Sequence, residues 1–315
     1  MSAAWTIRNI PPQRGRLAVI TGATGGIGFE TALALAGAGA EVILTGRDNA
    51  KGTDALQRIR AQHAGANIHY AHLDLASLAS VAAFAEQFAR EHQALDLLIN
   101  NAGVMVPPQR FATADGFELQ FGTNYLGHFA LTHHLLPQLR NGRRPRVVHV
   151  SSSAHRLQAA IHFDDLQWER RYQPWQAYAQ SKLALLMFGL QLQRRSDAQG
   201  WGLMSNTCHP GYARTGLQSS GPNLGRDKPQ KFGSLLEPLL SQSAAEGALP
   251  TLLAATSPDA RGGVYYGPQG LFGLKGAPGL SGIGRRGRDQ AVGERLWEVS
   301  EQLTDVRWPT TRQAA

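Results

Sequence analysis

Short apolar runs alternate with longer stretches of helical periodicity through the first two thirds of the chain. The runs LAVIT (17–21), EVILT (41–45), IHYAHL (68–73), LDLLIN (95–100), RVVHV (146–150) and LMSNTC (203–208) are rich in Val, Ile and Leu. That texture predicts strands of a parallel sheet, buried on both faces. Segments of helix length lie between them. From Tyr178 to Arg195, the residues Leu183, Leu186, Met187 and Leu190 fall at i, i+3, i+4 and i+7, the spacing of one core-facing stripe. Repeated strand–helix units imply an α/β fold: a Rossmann-type, doubly wound parallel sheet of about seven strands with helices on both faces. A single domain over 1–315 accommodates this pattern.

The last third is patterned differently. Residues 216–245 are rich in Ser, Gly, Pro and Lys and carry no long periodic element, which suits a lid over a substrate. GGVYYG (262–267) is a candidate last strand, 267–288 reads as a Gly-rich loop, and DQAVGERLWEVSEQL (289–303) predicts a final helix.

Composition narrows the class. Of 315 residues, 43% are hydrophobic and 17% charged, which excludes wholesale disorder. One cysteine excludes an internal disulfide framework and a cysteine zinc site, and fits a cytoplasmic setting. The apolar stretch LALLMFGLQL (183–192) is shorter than the ~20 residues of a membrane span, and MSAAWTIRNIPPQRGR lacks the apolar core of a signal peptide. The net charge is +8, but the basic residues are dispersed apart from GRRGR (284–288). A solvated surface is the expectation there, with no nucleic-acid partner and no membrane anchor.

Chemistry enters at TGATGGIG (21–28), which follows the first strand and opens a helical stretch. In that context Gly22 permits a tight turn, Gly26 lets backbone approach a pyrophosphate, and Gly28 allows close helix–strand packing. The helix N-terminus adds free N–H groups for the anion. The second strand ends in LTGRD (44–48). An NAD-binding unit usually places an acidic residue there for the ribose 2′-OH. Arg47 stands there instead and can pair with a 2′-phosphate, so NADP(H) is the expected cofactor ahead of NAD(H). Asp48 is expected to cap the next helix.

YAQSK (178–182) sets Tyr178 and Lys182 on one helix face. A phenol with a pKa near 10 is a poor base at neutral pH, and an adjacent ammonium is expected to lower that value. The chain also carries NNAG (100–103), VHVSSS (148–153), Asn124 within FGTNYLGHF (121–129) and PGYART (210–215). With these motifs in this order, the sequence over about 15–215 resembles the short-chain dehydrogenase/reductase family. Its texture is closest to the retinol dehydrogenase and WW-domain oxidoreductase branch.

The resemblance implies roles residue by residue. Tyr178 is the general acid in carbonyl reduction and the general base in alcohol oxidation. Lys182 holds the nicotinamide ribose and lowers the pKa of Tyr178. Ser152, or failing it Ser153, hydrogen-bonds the substrate oxygen, and Ser151 is expected to cap backbone. Asn124 holds a water in a proton relay. Gly22, Thr24, Gly26, Ile27 and Gly28 cradle the phosphates, and Asp74 and Leu75 meet the adenine. Asn101, Ala102 and Gly103 line the adenosine ribose side. Pro210, Gly211, Ala213 and Thr215 position the nicotinamide amide. The family often assembles through the helices after the fourth and fifth strands, so a homodimer or homotetramer is implied. No metal is required.

The stretch between Ser152 and Tyr178 contains Phe163, Trp168, Tyr172 and Trp175, and Tyr212, Leu217, Phe232, Leu235 and Leu236 follow the sixth strand. These residues either wall an apolar pocket or anchor the insertion to the core. Trp175 and Tyr212 are the candidate substrate contacts, with Ser153. A bulky hydrophobic carbonyl or alcohol is the substrate this favours. A C=C reductase on the same scaffold and a non-catalytic cofactor-binding protein are the alternatives.

Overall fold

The computed structural model describes residues 4–225 and 241–310. Eight strands form one sheet: β1 (Leu17–Thr21), β2 (Glu41–Gly46), β3 (Ile68–His72), β4 (Leu97–Asn100), β5 (Arg146–Val150), β6 (Met204–Cys208), β7 (Tyr265–Gly270) and β8 (Lys275–Leu280). Their order is β3-β2-β1-β4-β5-β6-β7-β8. All pairs are parallel except β7–β8. Every residue of β1, β4 and β5 is buried, as their continuous apolar runs require, whereas β3 at the edge is partly exposed.

Among the described residues, seven principal helices flank the sheet: α1 (Gly26–Gly37), α2 (Asn49–Gln62), α3 (Leu78–Glu91), α4 (Gly127–His134), α5 (Pro174–Gln199), α6 (Ala244–Thr256) and α7 (Gln290–Thr304). Their starts follow local chemistry. Asp48 caps α2 by accepting from Lys51 N, and Ser243 and Glu246 form a capping box on α6. Pro174 begins α5 and Gly200, at φ +63°, ends it. Two apolar clusters lie on opposite faces of the sheet. One contains Phe29, Leu35, Ile59 and Leu252 from α1, α2 and α6, and the other contains Phe84, Phe129, Phe188 and Trp297 from α3, α4, α5 and α7.

The C-terminal third departs from the sequence reading. Residues 267–288 are not a loop. After β7 the chain turns through Leu271–Gly273 and returns as the antiparallel β8, with Tyr266 opposite Leu280 and Gly270 opposite Lys275. The glycines that suggested a loop serve the ribbon: Gly273 and Gly276 have φ of +73° and +110°, values that glycine reaches without strain. The sheet therefore has eight strands, the last one antiparallel. Of the expected lid, 226–240 lies outside the described residues. Phe232, Leu235 and Leu236 fall in that span.

Helix α7 covers α4 and α5, the helices through which family assembly was expected. Trp297 packs edge-on against Phe129 at 5.1 Å and lies 5.6 Å from Phe188, and Trp308 sits 4.7 Å from Trp297. Arg195 stacks over the Trp297 ring at 4.4 Å. That part of the surface is filled by the chain itself. Trp297→Ala should lower unfolding free energy by about 3–5 kcal/mol, the cost of emptying a large buried aromatic site. Urea denaturation measures it, and a loss below 1 kcal/mol would mean that α7 is not part of the cooperative core.

Candidate functional site

Parallel strands deliver the loops after β1, β2, β4, β5 and β6 to one edge of the sheet. There they enclose a cavity of about 640 Å³. Every residue singled out above as a catalytic, cofactor or substrate contact lines it, except Asn124.

The glycine loop behaves as its spacing predicts at two positions. Gly22 has φ +63°, and a Cβ there would stand 2.9 Å from Ala102 Cα. A Cβ on Gly28 would run into the Gly22 carbonyl and the Asn101 amide, so α1 can approach β1 only with glycine at that point. At the far end of the cavity, the β2–α2 turn presents Arg47 and, one helical turn on, Lys51. Lys51 lies 3.6 Å from the Asp48 carboxylate. Asp74 lines the same end, and its Oδ1 also accepts from Ala76 N at 2.9 Å, so it both shapes its own turn and faces the cavity.

The other end holds Ser152, Tyr178 and Lys182. Tyr178 is buried, with the Ser152 hydroxyl beside it favouring the phenolate. Ser152 Oγ also accepts from Ala154 N, opening a short 3-10 turn. Ser151 serves the backbone, as expected for a strand end: its Oγ donates to the Lys182 carbonyl at 2.7 Å. Lys182 Nζ donates to the Val150 carbonyl at 2.9 Å. A Cβ on Gly103 would lie 3.4 Å from Lys182 Nζ and 3.1 Å from Asn124 Oδ1, so the missing side chain leaves room between the two groups.

The electrostatics differ from the expectation set by the Tyr178–Lys182 spacing. Burial pushes the Tyr178 phenol up to about 12, opposed by the Ser152 hydrogen bond. Burial also pulls Lys182 down to about 8. Desolvation dominates both groups, because each shows only a small edge to the cavity and is otherwise packed in protein. Ser152, rather than the ammonium, is the group that favours the phenolate here.

Asn124 sits in a π-helical turn, Gly122–Leu126, behind the cavity wall. Its side chain is fully used: Oδ1 accepts from Val104 N at 2.7 Å, and Nδ2 donates to the Val104 carbonyl and Ser181 Oγ, both at 2.9 Å. The amide pins the loop after β4 to α5. The Asn124 backbone carbonyl lies 2.9 Å from His128 Nδ1, and His128 Nε2 lies 2.8 Å from Thr21 Oγ1. A carbonyl only accepts, so Nδ1 carries the ring proton and the Thr21 hydroxyl donates to Nε2. Thr21 in turn accepts from the N–H groups of Asn101 and Ala102, at 2.8 and 2.9 Å. Thr21 and His128 were missed in the sequence. Thr21 ends a strand run and His128 sits in an apolar segment, so neither carried a local signal.

The aromatic insertion divides. Trp168 is buried against His162, and Phe163 packs on the core under Arg295, whose guanidinium lies 4.0 Å from its ring. The Tyr172 hydroxyl accepts from Gln120 at 2.9 Å. These three anchor the insertion. Trp175 alone of the four lines the cavity, its ring centre 5.9 Å from that of Tyr178. Leu274, from the turn before β8, completes the wall with Tyr212, whose N–H donates to the Leu274 carbonyl at 2.8 Å. Leu274 was hidden in the stretch read as a loop.

The chain matches the short chain dehydrogenase family over residues 16–223. It is 42% identical to polyprenol dehydrogenase of Mus musculus over 300 residues, covering 94% of this chain and 85% of that protein. Identity to retinol dehydrogenase 13 of Homo sapiens is 39% over 305 residues, covering 95% and 87%. A crystal structure of a Mycobacterium paratuberculosis protein superposes with a TM-score of 0.80 at 41% identity, over 98% of this chain and 100% of that one. A short chain dehydrogenase of Escherichia coli, crystallised with NADPH, gives a TM-score of 0.61 at 25% identity, over 81% and 96%.

The depressed value at Lys182 has a consequence for stability. Between about pH 8 and the ~10.4 of a free lysine, the unfolded chain retains a proton that the folded chain has released, so stability rises with pH in that window. From pH 7.5 to 10, the protein should gain about 2–3 kcal/mol relative to Lys182→Met. Parallel pH profiles of the two proteins in urea would show that burial does not strain this ammonium.

Proposed function

The chain belongs to the short-chain dehydrogenase family, and on that premise we propose that it is an NADP(H)-dependent oxidoreductase acting on the carbonyl or alcohol group of a bulky, apolar substrate. The observation that carries the reading is the meeting of Ser152, Tyr178 and Lys182 at one end of the cavity whose other end is walled by the glycine loop.

The residues present fit the cofactor. Gly22 and Gly28 remove side chains where the loop must be close-packed, and α1 aims its N-terminus into the cavity. Arg47 and Lys51 put positive charge at the end of β2, where an NAD site would carry an acid. That supports NADP(H), as does the NADPH held by the Escherichia coli relative. When bound, NADP(H) supplies or accepts the hydride. Asp74 and Leu75 would meet the adenine, with Thr24 and Ile27 at the phosphates and Asn101 to Gly103 beside the ribose. Pro210, Gly211, Ala213 and Thr215 would hold the nicotinamide amide.

The chain's own groups handle the proton. With its pKa near 12, Tyr178 holds its proton at neutral pH, the state from which carbonyl reduction starts. Its Oη would pass that proton to the substrate oxygen. Ser152 Oγ would hydrogen-bond the same oxygen and stabilise the charge that develops there. In the oxidation direction the phenol must first ionise, a step that burial opposes and the Ser152 hydroxyl favours. The Asn124 side chain is committed to Val104 and Ser181, so any water relay would run past its backbone rather than its amide. Trp175, Tyr212, Met105 and Leu274 give the substrate end an apolar lining, which suits substrates of the kind that name the polyprenol and retinol dehydrogenases.

Tyr178→Phe should lower the rate of NADPH oxidation with a bulky aromatic ketone or aldehyde by at least ~10²-fold while NADPH still binds. Full turnover by this variant, or a product reduced at C=C with its carbonyl intact, would sink the proposal. Arg47→Ala should weaken NADPH binding about 10–100-fold and leave NADH binding unchanged, the loss of one charge-assisted pair. Fluorescence titration with both nucleotides separates these outcomes, and equal losses for the two would remove Arg47 from cofactor choice.

A further inference from the structure

Two buried histidines that the proposed chemistry leaves unused stand between the C-terminal ribbon and the site. Each is 2% exposed. His155 Nδ1 lies 2.7 Å from the Ser152 carbonyl, which can only accept, so this nitrogen carries the ring proton. His155 Nε2 then accepts from Gly284 N at 3.3 Å. His209 is arranged in the opposite sense. Its Nδ1 accepts from Gly211 N at 3.3 Å, so Nε2 carries the proton, toward Ser281 Oγ at 3.1 Å.

The Tyr265 ring fills the space between them, edge-on to His155 at 5.0 Å and stacked on His209 at 5.1 Å. Its hydroxyl lies 3.4 Å from His155 Nδ1, whose proton it shares with the nearer Ser152 carbonyl. Gly267 faces His209 without a side chain, and a Cβ there would run into the ring. Burial pulls His155 down to about 4 and His209 to about 3, with Arg156 nearby adding to both effects, so both rings are neutral at pH 7.

We propose that His155 and His209 are positioning residues. Locked in opposite neutral tautomers, they fasten the segment Ser281–Gly284 to the Ser152 turn and to the Pro210–Gly211 turn, and thereby set the aim of both. The segment that does this lies beyond residue 223, where the family match ends. The catalytic consequence rests on the roles proposed above for Ser152 and Gly211, whereas the tautomers do not.

Nitrogen-15 NMR of the histidine-labelled full chain at pH 7 reads the tautomers directly. Protonation at Nδ1 of His155 and at Nε2 of His209 is expected, and a charged ring or a swapped tautomer at either residue overturns the proposal. Kinetics read the consequence. His155→Phe keeps a ring but loses both bonds, and should lower kcat about 10–100-fold with the NADPH Kd within about two-fold. In His155→Asn an amide N–H replaces Nδ1–H, and most of that loss should return. His209→Phe should instead raise the NADPH Kd about 10-fold, and His209→Asn, whose amide oxygen can accept from Gly211, should restore it. Unchanged kinetics in the Phe variants, or Asn variants as impaired as the Phe variants, would reduce the rings to packing and overturn the proposal. Should the Phe variants fail to fold, Ser281→Ala removes the His209 bond and, with it, an exposed bond from Arg156, which Arg156→Ala removes without the His209 bond, as the control. The Ser281 variant should raise the NADPH Kd a few-fold beyond that control, and no change would sink the His209 half. Expected tautomers together with a fully active Ser152→Ala would leave the clamp standing and defeat the reading of Ser152 instead.

Discussion

The site depends on the parallel pairing of β1, β4, β5 and β6. Parallel strands place all of their C-terminal ends on one edge, so residues far apart in the chain emerge side by side. Thr21, Asn101, Ser152 and Pro210 follow or end four different strands, yet all line one cavity. The Thr21 hydroxyl shows how tightly the edge is specified. It accepts two backbone N–H groups from the loop after β4 and donates to His128, which holds the Asn124 carbonyl. One strand end therefore ties the glycine loop, the NNAG turn and the π-helical turn together. Each donor and acceptor in that network has a partner, which is what makes a buried polar cluster rigid rather than costly.

Burial works against the ionised forms of both Tyr178 and Lys182. The phenol rises to about 12 and the ammonium falls to about 8. A fold optimised for stability alone would place apolar side chains on this face of α5, as it does at Leu183 and Leu186. The polar partners supplied are few and specific: Ser152 for the phenol, and the Val150 carbonyl for the ammonium. Such opposed burial and sparse polar compensation are common where a pair handles protons.

The C-terminal third adds to this scaffold on both sides. Helix α7 closes the surface of α4 and α5 with Trp297, while the β7–β8 ribbon builds the cavity wall through Leu274 and reaches the Ser152 and Gly211 turns through His155 and His209. An added hairpin at a sheet edge also covers what would otherwise be the exposed edge of β7. Among the described residues no helix is long and apolar enough to cross a membrane.

Elements whose signal is local were legible in the order of residues. Buried parallel strands need continuous apolar runs, and LAVIT and RVVHV became β1 and β5 without a change of boundary. The glycine loop, Asp48 as a cap, and the Tyr178–Lys182 spacing also depend on neighbours within a few residues. Features that depend on distant partners took shape only on folding. The glycines of 267–288 look like a loop until β7 and β8 pair, because a ribbon's stability lies in its cross-strand hydrogen bonds. Spacing suggested that Lys182 would tune Tyr178, but desolvation is a property of everything packed around the pair, and it reversed the balance. Of the insertion's aromatics the sequence reading favoured Trp175 as a substrate contact, but only packing buried Trp168, set Phe163 against the core, tied Tyr172 to Gln120 and left Trp175 on the cavity. His128, His155 and His209 gave no signal for the same reason. A histidine's role is fixed by which partner meets each ring nitrogen, and here one nitrogen of each ring meets a neighbour within four residues while the other meets a distant strand or loop.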